Sequence, residues 1–161
     1  MARLSARGDP MEEFRHEPGV KPVPGEIELG RGADGVVTEL FAHPELVLKE
    51  MNHPFKLGRN RVQLERRVLH AVLDATNGRG ATRVFNFGTD ARECSWLVRE
   101  RVFDVEPRGT QADRTQLLHL ILRIHPTADV NLAMLPDPTF DNVRWGVTAV
   151  DPEPRWVLID P

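Results

Sequence analysis

Cysteine occurs once in these 161 residues and tyrosine not at all. A single thiol, Cys94, excludes an intramolecular disulfide and a cysteine-built metal centre. Within the apolar run "ECSWLV" it reads as a small buried strand residue. No run approaches the roughly 20 apolar residues that a membrane-spanning helix needs, so no membrane partner is expected. The start, "MARLSARGDPMEEFRHEPG", lacks the apolar core of a signal peptide, which predicts a chain made in a cytosol. Export into a host cell by a route without a cleavable signal stays open. An excess of positive charge is also lacking: the net charge of -3 supplies no field for a polyanion, and nucleic acid is not an expected partner.

What is present is the composition of a soluble globular protein, 40% hydrophobic and 28% charged, at a length suited to one compact domain with a core. Residues 1 to 25 are polar and interrupted by proline and glycine, without helical or strand periodicity, and are expected to form a mobile leader before a domain over 26–161. From Glu26, "EIELG", "GVVTELF" and "ELVLKEM" predict three short antiparallel strands joined at glycines and at "AHPE". "NRVQLERRVLHAVLDA" sets Val62, Val68, Leu69, Val72 and Leu73 on one helical stripe, and "NGRG" stops it. "TRVFNFGTD" and "SWLVRERV" predict two further strands.

After "EPRG", the run "ADRTQLLHLILRIH" predicts a core helix of a second, mostly helical part. "TFDNVRWGVTAV" and "RWVLIDP" predict a closing hairpin. The expected class is α+β: a five-stranded antiparallel lobe with one helix over about 26–103, then a reduced helical lobe with a β-hairpin over about 104–161.

Chemistry concentrates in a few places. Gly30, Gly32, Gly35 and Val37 have the spacing G-x-G-x-x-G-x-V. Glycines at a strand-turn-strand let backbone N–H groups approach phosphate oxygens, and they also mark ordinary hairpins. A strand pattern continues past Gly35, which excludes the dinucleotide fingerprint, and no G-K-[ST] follows to make a P-loop. Lys49 stands in the apolar strand "LVLKE", either as a surface lysine or held towards phosphates in a cleft. Glu65, on the next helix, is either a solvated partner of Arg61 or Arg66 or the carboxylate that orients Lys49.

In this order the residues resemble the protein-kinase-like superfamily, which includes protein kinases and aminoglycoside-type phosphotransferases. The resemblance runs from about Glu28 to Asp160. It implies a minimal two-lobe kinase fold using ATP and Mg²⁺. Gly30, Gly32, Gly35 and Val37 match the loop over the phosphates, Val47-Leu48-Lys49 the end of the V-A-I-K strand, and Glu65 its helix partner. "LVRERV" falls at the hinge, where the Glu100 carbonyl and the Val102 N–H would hold the adenine edge. "LPDPTFDNVRWG" carries Asp137 and Asn142 in the spacing D-x-x-x-x-N, and "WVLIDP" ends in Asp160. The resemblance makes Asp137 the base and Asn142 and Asp160 the Mg²⁺ ligands, with Asp141 or Asp151 as ligands in another register.

The sequence departs from the family in three places. "LPD" replaces H-R-D or H-G-D, "IDP" replaces D-F-G, and Pro161 follows the proposed metal ligand with no A-P-E. Three expectations result. The first is a minimal bacterial protein kinase for Ser or Thr hydroxyls, similar in economy to small secreted effector kinases. The alternatives are a kinase for a small-molecule acceptor, and a pseudokinase-like binding module that regulates a partner without phosphate transfer.

Overall fold

The computed structural model describes residues 19–32, 35–41, 43–124 and 143–159. It is α+β, and the chain divides into two compact units. The first comprises residues up to 64 together with 83–101, and the second 65–82 together with 102 onward.

The first unit is built on a five-stranded antiparallel sheet. Its strands are β1 (Pro24–Arg31), β2 (Gly35–Leu40), β3 (His43–Pro54), β4 (Val84–Thr89) and β5 (Cys94–Glu100), in the order β1-β2-β3-β5-β4. Side chains alternate between the faces of a strand, and the two cores of this unit follow that period. Leu46 and Leu48 join Leu40, Trp96 and Val98 on one face. Met51 and Leu97 lie on the other, against Val62 of helix α1 (Phe55–Ala75). β1 is an edge strand, exposed along most of its length and joined to β2 through two irregularities of register.

The expected leader, 1 to 25, lies largely outside the described residues. Its last part is held. The Gly19 N–H donates to Asn86 Oδ1 at 3.0 Å, and the Val23 carbonyl accepts from the Phe41 N–H at 3.2 Å. Strand β1 then starts at Pro24.

α1 starts five residues before the expected Asn60 and stops where "NG" requires it to. Asn77 and Gly78 take positive φ, of 55° and 80°, and the Gly78 N–H returns to the Leu73 carbonyl at 2.7 Å.

In the second unit, β6 (Phe103–Asp104), β7 (Val143–Val147) and β8 (Arg155–Leu158) form a three-stranded sheet in that order. The predicted hairpin is β7–β8, in the register Val143↔Leu158 and Trp145↔Trp156. β6 adds a third strand to the predicted hairpin. Helix α2 (Gln111–Ile124) is capped by Thr110, whose Oγ1 accepts the Asp113 N–H at 3.2 Å. α2 buries Leu117, Ile121 and Arg114, while Leu118, Leu120 and Leu122 are only half-buried. One face of the helix thus supplies Leu117 and Ile121 to the buried core. Among the described residues no helix is long and apolar enough to cross a membrane.

Candidate functional site

The glycine stretch forms the β1–β2 hairpin. The Gly32 N–H donates to the Gly35 carbonyl at 2.9 Å, and Gly30 pairs with Val37 across the ladder. Ala33 and Asp34, at the tip, lie outside the described residues. The three glycines are not equivalent. A Cβ on Gly35 would run into the Glu50 carbonyl of β3, whereas one on Gly30 or Gly32 would meet nothing within 4 Å. Close strand packing requires Gly35, and packing does not require the other two. Asn52 ties the turn to β3, its Nδ2 donating to the Gly32 carbonyl at 3.3 Å.

Lys49 lies in the centre strand, paired with Val37 of β2 on one side and Leu97 of β5 on the other. The period of two puts Val47 and Lys49 on the same face as Met51, which meets Val62 of α1. Lys49 is 3% exposed, so it is not the surface lysine its residue type suggests. In α1, Glu65 belongs to the buried stripe of Val62, Leu69 and Val72 by helical spacing and is 0% exposed. It is not a solvated helix residue. Burying either charge is costly without polar or ionic compensation, so both positions are unusual for structural reasons alone.

Glu100 is also buried, with Oε1 and its N–H bound to Arg83 and Oε2 without a hydrogen-bond partner among the described residues. Its Oε1 accepts the Arg83 N–H at 2.8 Å and Arg83 Nη1 at 3.3 Å, and its own N–H donates to the Arg83 carbonyl at 3.0 Å. The Glu100 carbonyl assigned to the adenine edge accepts Arg99 Nη1 at 3.2 Å, which leaves one lone pair. Val102 is half-buried, and its N–H makes no hydrogen bond among the described residues.

Asp137, Asn142, Asp160 and the alternative ligand Asp141 lie outside the described residues. Among the described residues no group of three His, Cys, Asp or Glu side chains is placed to hold a metal. Asp151, the other alternative, belongs to the β7–β8 loop of the second unit. Its Oδ2 is 3.2 Å from Arg79 Nε and 3.7 Å from Arg155 Nε, and its Oδ1 accepts the Glu153 N–H at 3.0 Å. Burial works against its charge, but that N–H and the two guanidinium groups outweigh it and hold the carboxyl below the ordinary carboxylate range. Asp151 is therefore committed to its loop.

Sequence reasoning missed an ionic cluster on the face of the sheet that carries Leu46 and Leu48. Lys21 Nζ meets Glu50 Oε2, and lies 3.3 Å from Asp90 Oδ2 in the β4–β5 turn. Burial opposes the charge on Lys21, but the two carboxylates hold its pKa above the ordinary lysine value. Asp90 is held below the usual range by the Cys94 N–H above all, against burial, with Lys21 and the Arg92 N–H adding to the effect. Strand alternation puts Glu50 on the face of Leu46 and Leu48, where a lone acid needs a cation. Nothing in the sequence says that Lys21 supplies it. Compared with models of known protein families and with curated protein sequences, the chain matches none.

Proposed function

We propose that the chain is an ATP- and Mg²⁺-dependent phosphotransferase of the protein-kinase kind, acting on Ser or Thr hydroxyls of a protein. One observation carries the reading. A lysine on the third strand and a glutamate on the helix that follows are both removed from water, and these are the positions at which kinases use such a pair. The glycine hairpin adds support, since Val37 lies directly beside Lys49 and the space above Gly30 and Gly32 is open.

The donor set fits a nucleotide polyphosphate. Lys49 would hold phosphate oxygens as a point charge, with Gly30 and Gly32 letting backbone approach the same oxygens. Val37 and Val47 would line the nucleotide site, and the Glu100 carbonyl and the Val102 N–H would bind the edge of the base. Asn142 and Asp160 have the oxygen chemistry that Mg²⁺ takes, and the ion would neutralise phosphate charge. Asp137 would accept the proton of the acceptor hydroxyl, so the work divides into positioning and electrostatics.

The test is calorimetric titration with ATP, with and without Mg²⁺, on the wild type, Lys49→Ala and Asp160→Asn, followed by transfer of labelled γ-phosphate to protein substrates. Binding lost in Lys49→Ala and Mg²⁺ dependence lost in Asp160→Asn are the expected results. Wild-type protein indifferent to millimolar ATP would overturn the reading. A second reading, nucleotide binding without transfer, draws on "LPD" in place of the residues that usually brace the base. It predicts ATP binding with no labelled product, whether a protein or an aminoglycoside is offered as acceptor.

A further inference from the structure

The segment before β1 joins parts of the first unit that are far apart in sequence. Gly19 is hydrogen-bonded to Asn86 of β4, at one edge of the sheet, and Pro24 opens β1 at the other. Between them Lys21 bridges Glu50 of β3 and Asp90 of the β4–β5 turn. Asp90 is itself fixed, its Oδ1 accepting the N–H groups of Arg92 and Cys94 at 2.9 Å each. Residues 19–23 therefore form a strap across the face that carries Leu46 and Leu48, with one ammonium as its fastening.

That fastening bears on both halves of the proposed phosphate-binding apparatus. Glu50 follows Lys49 in the chain and points to the opposite face of β3, so holding Glu50 holds the backbone that aims Lys49. The strap also leads straight into β1, whose ladder to β2 is irregular and whose outer edge is unpaired within the described sheet. Where β1 lies fixes where Gly30 and Gly32 lie. We propose that Lys21 is a positioning residue for the nucleotide site, clamping β3 from behind Lys49 and setting the strand that delivers the glycine hairpin. The nucleotide role rests on the phosphotransferase reading, whereas the clamp itself is a property of the fold.

The experiment therefore has two readouts. Amide hydrogen exchange of the intact protein, without nucleotide, is compared among wild type, Lys21→Met, Lys21→Arg and Glu50→Gln. Lys21→Met and Glu50→Gln are expected to speed exchange in β1, β2 and β3 while leaving β7 and β8 unchanged, and Lys21→Arg is expected to restore protection. Unchanged exchange in Lys21→Met overturns the clamp. So does a uniform rise through both units, which marks general destabilisation.

ATP affinity is the second readout. Lys21→Met should weaken binding roughly five- to tenfold, the lower part of the usual range for coupling between sites, with recovery in Lys21→Arg. Local loosening with unchanged affinity overturns the positioning role. Wild-type protein that binds no ATP, but shows the exchange pattern, removes the phosphotransferase reading and the nucleotide role, and leaves the clamp standing.

Discussion

Alanine at each of the three hairpin glycines separates a phosphate cradle from a plain turn, because the structure assigns them different physical reasons to exist. At Gly35 the added methyl runs into the Glu50 carbonyl of β3, and both groups are backbone in a paired strand. The strands must part or the side chain must distort, an overpacking cost of about 1–3 kcal/mol. At Gly30 and Gly32 the methyl meets nothing within 4 Å, and neither glycine takes the positive φ that would strain an alanine. Loss of unfolded-state freedom then makes Gly30→Ala and Gly32→Ala neutral to stabilising, by up to about 1 kcal/mol.

Urea denaturation followed by far-UV circular dichroism measures these stabilities, and calorimetry measures ATP binding for the same three proteins. The expected pattern is crossed. Gly35→Ala loses stability, while the other two keep it and bind ATP more weakly. Equal stability of Gly35→Ala and wild type would refute the packing argument. Undiminished ATP binding in both Gly30→Ala and Gly32→Ala would refute the cradle and leave a hairpin.

Lys49→Met should fold, because a long apolar chain suits its buried site between Val37 and Leu97, and should lose ATP binding; retained binding would remove Lys49 from the site. Arg155 is buried and donates to the carbonyls of Arg79 at 2.8 Å, Asp151 at 3.1 Å and Glu153 at 3.3 Å, and to Thr148 Oγ1 at 3.3 Å. Arg155→Met deprives several acceptors of one charged donor and should cost about 3 kcal/mol in urea denaturation. Arg155→Lys should recover little, since an ammonium cannot reproduce the planar fork. The Asp151 carboxyl titrates below its unfolded value, so its contribution to stability is complete above about pH 4 and is lost as the pH falls through the depressed value. Asp151→Asn should lower stability at neutral pH and flatten the acid limb of a stability–pH curve; an acid limb as steep as that of the wild type would refute the linkage.

The strands of the first unit were legible because β-branched and apolar residues fall in short runs between glycines and polar turns, and the end of α1 because "NG" supplies the left-handed residues that close a helix. Its start was not, since Pro54 and Phe55 carry no capping signal, and β3 runs directly into α1. β6 could not be read either. Two residues have no period, and Phe103 and Asp104 become a strand only by pairing with Val147 and Gly146.

Chain order alone set out the proposed chemistry: a glycine hairpin, then a lysine on the third strand, then a glutamate on a helix, because residue type and period are local properties. Burial and long-range pairing are not local. Only the tertiary structure put Lys49 and Glu65 out of water, separated the indispensable Gly35 from the unconstrained Gly30 and Gly32, and withdrew Asp151 into an arginine-bound loop. The same holds for Lys21, whose carboxylate partners lie 29 and 69 residues further along the chain and come together only when the sheet forms.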